Sequence, residues 1–196
     1  MQDGTHATSN PGAADLPDGW RPFRIARVVD ESSVIRSFYL EPADGRALAG
    51  AEAGQHLPIR LTMPGSADPV IRTYTISCAP VAGHYRISVR KLGLASTHLH
   101  EHLGPGAIIG AKPPAGNFII DDQARHPAVL VAAGVGITPL LAMLGHLVAG
   151  EVAGRPMRPV ILFYAARSAG ERAFDAELGA LSAQAGGKLR LVRILQ

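Results

Sequence analysis

Two folds in tandem are predicted: an N-terminal antiparallel Greek-key β-barrel, then a partial doubly wound parallel α/β domain. Two observations carry this. As far as about residue 120 the chain runs in short segments, the clearest with period-two alternation, punctuated by glycine and proline. Beyond that point, continuous apolar runs alternate with helical stretches in the order β-α-β-α-β of an open parallel sheet.

Residues 1–19, rich in Gly, Ala, Asp and Pro without periodicity, are expected to be a disordered tail, and Trp20 marks where packing begins. The barrel domain is expected over 20–123. In LPIRLTM, Leu57, Ile59, Leu61 and Met63 share one face, and Pro58, Arg60 and Thr62 the other. YRISVRK likewise sets Tyr85, Ile87 and Val89 against Arg86, Ser88 and Arg90, a half-buried strand. FRIARVV, VIRSFYL, VIRTYTIS, AIIGAKP and NFII are further strand candidates, with turns at Pro64-Gly65, Gly83, Gly104-Pro105-Gly106 and Pro113-Pro114. ASTHLHEHL reads as one short helix, with Leu99 and Leu103 four apart.

The α/β domain is expected over 124–196. PAVLVAA and PVILFYAA read as strands covered on both sides. PLLAMLGHLVAG reads as a helix, and so does ERAFDAELGALSAQAG, with Phe174, Leu178 and Leu181 on one stripe and Gly186-Gly187 as the stop. KLRLVRILQ is a third strand. Three strands make a thin sheet, so a C-terminal portion is expected to be missing and one sheet face to be poorly covered.

A formal net charge of +3 with no run of like charges gives no sign of nucleic-acid binding. One cysteine, Cys78, excludes an intramolecular disulfide and an all-cysteine metal site. No signal peptide is legible at the start, and the apolar run 127–134 is too short to cross a bilayer. A cytoplasmic protein with no membrane association is expected.

Two motifs carry chemistry. AGVGITP sits between a covered strand and a helix. Gly134 and Gly136 allow a tight turn and close approach to bare backbone, Thr138 can cap the helix, and Pro139 suits its first position. The free amides of such a helix start attract an anion. RTYTIS places Arg72 and Tyr74 on one strand face, a phosphate-gripping fork beside a ring that packs on a flat heterocycle. For Thr75 to meet the same ligand the strand must end or bend there.

Taken in order, Gly54-Gln55-His56-Leu57, Arg72-Thr73-Tyr74-Thr75, Gly93-Leu94-Ala95-Ser96-Thr97, Pro114-Ala115-Gly116-Asn117-Phe118 and Gly134-Val135-Gly136-Ile137-Thr138-Pro139 resemble the motifs of the ferredoxin–NADP reductase superfamily over residues 20–196. The modules of flavohaemoglobins and oxygenase reductases are the nearest in pattern. The resemblance implies bound FAD, with FMN as the alternative, and NAD(P)H as donor. Arg72 would hold a flavin phosphate, Tyr74 would lie along the isoalloxazine, and Thr75 would bond near N5; Thr75 and Tyr74 are the catalytic candidates. His56, Thr73 and Val89 join the cofactor contacts, Ser96 and Thr97 take the pyrophosphate, and Gly134, Val135, Gly136, Ile137, Thr138 and Pro139 seat the nicotinamide nucleotide. Electrons would pass to a haem or iron–sulfur acceptor, on a fused domain or a separate protein. Two departures stand out: His56 occupies a position where relatives often carry tyrosine, and the later CGP-type motif is absent. A flavin-binding relay or regulatory subunit that does not use NAD(P)H is the alternative, and an inert fragment the third.

His98 and His102, four apart, have no third ligand in view, so no metal site is expected. Arg167-Ser168 can meet an adenosine ribose or phosphate, or simply end a strand. Ser77 and Cys78 have no histidine partner in view.

Overall fold

The computed structural model describes residues 18–66, 68–80 and 83–195. The expected tail lies outside these residues except for Asp18 and Gly19, and Trp20 is already buried. Six strands form one antiparallel sheet: β1 Arg21–Asp30, β2 Ile35–Pro42, β3 His56–Leu61, β4 Val70–Thr75, β5 Tyr85–Arg90 and β6 Ile108–Ala111, in the order β4-β3-β6-β1-β2-β5. The sheet curls until its two end strands meet, and a single bridge, Ile76 to Ile87, joins them. Alternation decides the filling. Leu57, Ile59 and Leu61 point inward with Phe23, Ile25, Phe38, Leu40 and Ile87. Helix α1, Leu94–His102, packs Ala95 and Leu99 into the same core.

A parallel sheet follows: β7 Ala128–Ala133, β8 Val160–Ala166 and β9 Leu189–Leu195, in that spatial order. Helices α2, Ile137–Val152, and α3, Asp175–Gln184, make the crossovers. Because the strands are laid down in one direction, two right-handed crossovers put both helices on the same face. That face carries Leu130, Ala132, Leu162, Tyr164 and Leu189 into a core with Ile137, Leu141, Leu144 and Leu178. By length and composition the stretch Gly134–Val152 could cross a membrane, yet just over half of its window is buried here, as in a core helix.

The structure departs from the expectations at four places. NFII forms no strand; instead Ala115, just before it, bridges His56. β7 is not covered on both sides, since Val129 and Val131 on the face without helices are 61% and 73% exposed. β5 is not half-solvated: Arg86 and Ser88 on its outer face are buried. Arg86 bonds bidentately to Glu177 of α3 at 2.7 and 3.0 Å, packs over the Phe174 ring and donates to Ser77. The hydroxyls of Ser37, Ser88 and Ser77 chain behind it at 2.7 and 2.6 Å. Burial alone would depress the Arg86 guanidinium, but the Glu177 carboxylate overrides this and raises its pKa. Finally, α3 starts after Phe174, which caps it in the left-handed region at φ 65°. The outer face of β5 is therefore the seam between the two sheets.

Candidate functional site

β4 is an edge strand, and its side chains can be sided from the register. Tyr74 lies opposite Leu57 and Arg72 opposite Ile59. Opposed residues share a face, so Arg72 and Tyr74 stand on the barrel side, at the lip where β4 and β5 approach. Running the Ile76–Ile87 bridge back in register sets Tyr74 opposite Val89 and Arg72 opposite Lys91, across a gap without a ladder. Val89 is the floor of this gap, with its side chain 1% exposed in the barrel core. Arg72 is exposed, and among the described residues its guanidinium bonds only to the carbonyl of neighbouring Ile71, at 2.7 Å. Tyr74 is half-buried; burial raises its phenol pKa and the Arg72 charge pulls the other way. Lys91 pairs with Glu101 at 2.7 Å. A phosphate at this lip would meet the Arg72 guanidinium, while Lys91, which sequence reading did not single out, already has a carboxylate partner.

Thr75 is the last residue of β4 and lies opposite His56, on the other face from Tyr74. Beyond Thr75 the alternation continues, with the Ile76 amide bonded to the Gln55 carbonyl at 2.9 Å and Ile76 buried in the barrel core. The imidazole of His56 sits under Gly116: a Cβ built there would fall 2.8 Å from Nδ1, and φ is +110°. Nearby Gly54, at φ +108°, is pinned in the same way, since a Cβ would collide with the Phe118 carbonyl and lie 2.6 Å from the Met143 methyl of α2. Thr73, opposite Pro58, is exposed on the face of Thr75.

The helix start at Gly93 is tied internally. Ser96 Oγ accepts from the amides of Leu92 and Gly93 at 2.9 Å and donates to the Gly93 carbonyl. Its hydroxyl therefore ties the helix start together at the place where the phosphate contact is expected. The first-turn amides of α1 have no intrahelical partner and remain open to an anion. Thr97 is half-buried, and its own amide makes the first helical bond, to Gly93, at 2.8 Å.

The glycine turn leaves β7 at Gly134, φ +52°, passes through a 3₁₀ turn over Gly134–Gly136 and enters α2 at Ile137. Thr138 does not cap the helix, because the cap position is Gly136 and the Thr138 hydroxyl donates to the Val135 carbonyl at 3.0 Å. Pro139 is the third helical residue rather than the first, still within the turn whose amides lack partners. Beside the turn, at the carboxyl ends of β7 and β8, is a cleft of about 180 Å³ lined by Ile35, Arg90, Gly134, Arg167 and Glu171. Arg90, the last residue of β5, reaches Glu171 at 3.2 Å and passes 3.5 Å from where a Gly134 Cβ would be. Ligands of open α/β sheets bind at such strand ends. Arg90 and Glu171 were not singled out from sequence, since neither belongs to a short motif.

Among the described residues no three His, Cys, Asp or Glu side chains group as metal ligands. The His98 and His102 rings lie tilted at 42° with centroids 5.2 Å apart. Burial raises the Cys78 thiol pKa, so no ready nucleophile is formed.

Comparison with known proteins adds to this geometry. Residues 22–120 match the family model of the oxidoreductase FAD-binding domain, and residues 130–196 that of the oxidoreductase NAD-binding domain. A flavohemoprotein of Deinococcus radiodurans is 43% identical over 175 residues, covering 86% of this chain and 42% of that protein. One from Pseudomonas aeruginosa is 40% identical over 177 residues, covering 88% and 43%. The chain thus spans less than half the length of these curated relatives. The flavohem-like FAD/NAD-binding domain of a nitric oxide dioxygenase from Vibrio cholerae superposes with a TM-score of 0.79 at 35% identity, covering 89% of this chain and 73% of that one. Phthalate dioxygenase reductase superposes with a TM-score of 0.74 at 26% identity, covering 90% and 52%.

Proposed function

The chain belongs to the ferredoxin–NADP reductase superfamily, with an oxidoreductase FAD-binding domain and an oxidoreductase NAD-binding domain, and from that premise we propose that it carries electrons from NAD(P)H through FAD to a haem or iron–sulfur acceptor. The observation that carries this reading is the gap between β4 and β5. There an exposed guanidinium without a side-chain partner among the described residues, a half-buried phenol and a lysine line a barrel lip that has no backbone ladder. That donor set fits a dinucleotide with a flat ring system.

Arg72 neutralises phosphate charge, aided by the first-turn amides of α1. Tyr74 presents its ring to the isoalloxazine. Thr75, at the strand end, supplies a hydroxyl near N5, and His56 supports it from the adjacent strand. Gly134 and Gly136 let the nucleotide diphosphate approach bare amides, and Arg90 lies beside the turn, held by Glu171. Held there, the flavin would supply hydride acceptance and one-electron return, so the protein needs to bring no acid or base to that step. Its work is to align the two rings and exclude water. The acceptor sits on a further domain or a separate cytoplasmic protein.

Flavin identification tests the reading. Heat release from the purified protein should yield FAD in roughly equimolar amount. Release of FMN, or failure of the protein to take up any flavin on reconstitution, overturns the FAD assignment.

A further inference from the structure

We propose that the cavity under the C-terminal end of α2 is a second small-molecule site, one that takes a monocarboxylate with a compact apolar or aromatic body. The cavity has a volume of about 170 Å³. A dry cavity of roughly 150 Å³ already accommodates benzene, so one ring with a carboxylate projecting to the mouth fits. It lies toward the far end of α2 from Gly134–Gly136, its helix residues His146, Leu147 and Gly150 standing about 15–21 Å along the axis from Gly136 at 1.5 Å per residue, and it shares no lining residue with the cleft beside the glycine turn.

Its walls and rim differ in chemistry. Leu147 and Met157, each 5% exposed, line it with Pro156. Gly150 and Gly154 contribute no side chains, which leaves the space open. The absent side chain of Gly150 also lets Arg155 lie against the helix, its Nη2 3.3 Å from where a Cβ would be. The rim carries Arg125, Arg155 and His146 against one carboxylate, Asp122. Asp122 is shared, 3.2 Å from His146 Nε2 and 3.4 Å from Arg155 Nη1. Arg125 makes no hydrogen bond or ion pair with the described residues. The mouth therefore has an excess of cationic donors over an apolar pocket, an arrangement that selects an anionic head on an apolar body.

Benzoate is the probe, and the protein's own methionines report on it. The chain has four, and among the three described Met157 alone lines the cavity while Met63 and Met143 are buried elsewhere. In the flavin-loaded protein labelled with ¹³C-methyl methionine, benzoate should shift the Met157 methyl saturably, with Kd at or below about 1 mM, and leave Met63 and Met143 in place. A Met157→Leu variant assigns the signal. Arg125→Gln, a change at an exposed residue, should weaken binding by at least ~10-fold, as loss of a charged donor does. Benzyl alcohol, the same ring without the charge, should bind at least ~10-fold more weakly. An unmoved Met157 methyl, equal binding by Arg125→Gln, or equal affinity for benzyl alcohol overturns the proposal.

Discussion

Replacing Arg72 by alanine separates a ligand-holding role from a structural one. The side chain is exposed and its one hydrogen bond among the described residues goes to the carbonyl of the residue before it, so the fold loses almost nothing. A change of that kind stays within about 0.5 kcal/mol of folding stability. The flavin loses one charge-assisted phosphate contact, about 1.5–3 kcal/mol. That converts to a roughly 10- to 150-fold rise in Kd for FAD. The assay is fluorescence titration of apoprotein with FAD, alongside urea unfolding of the same apoprotein. Arg72→Lys keeps the charge but loses the fork and should fall between wild type and alanine. Unchanged FAD affinity in Arg72→Ala refutes the placement of the phosphate. An affinity loss matched by an equal loss of folding stability refutes the claim that Arg72 acts on the ligand rather than on the barrel.

Other outcomes follow from the same geometry. Glu177→Ala should destabilise by about 3 kcal/mol and Arg86→Met by less, although Glu177 is the more exposed partner, because the first change strands a buried charge and the second frees a carboxylate to water; urea midpoints decide the order. Gly116→Ala should cost about 1–3 kcal/mol and displace His56, since its φ is +110° and the new methyl meets the imidazole; thermal melting and the His56 NMR signal report both. Asp44, held by Arg21 at 2.9 Å and nearly buried, has its carboxyl depressed below the ordinary 3.8 by that hydrogen bond. Its contribution is complete above that value and is lost as pH falls further toward the folded-state pKa. Melting temperature measured against pH should therefore drop on the acid side, and Asp44→Asn should flatten that limb. Gly136→Val should spare FAD content but slow reduction by the nucleotide, as seen in single-turnover kinetics, because the turn must admit a diphosphate against its backbone.

What the sequence made legible was whatever local periodicity encodes. LPIRLTM reads its inward face from four alternating apolar residues, and the covered-strand and helix runs after residue 127 give the element order of the parallel sheet. Long-range partners were invisible. Arg86 and Arg90 look like solvent residues in YRISVRK because their carboxylates lie 91 and 81 residues downstream. PAVLVAA looks doubly covered because composition does not say on which face crossovers land; strand order does. The cap at Gly136 and the commitment of Ser96 to its own helix start depend on where a helix begins to within one residue, which pattern does not resolve. At the candidate site, RTYTIS and GVGITP could be read directly, while Lys91, Arg90 and Glu171 could not, because strand pairing and domain contact bring them there.

The central claim is that a nucleotide seated at Gly134–Gly136 reduces a flavin held at the β4–β5 gap. Anaerobic mixing of the flavin-loaded protein with NADH or NADPH tests it directly. The account predicts that one or both nucleotides bleach the oxidised flavin band, and that Gly136→Val slows this without loss of flavin. A flavin that stays oxidised with both nucleotides, in a protein that binds it fully, contradicts the account.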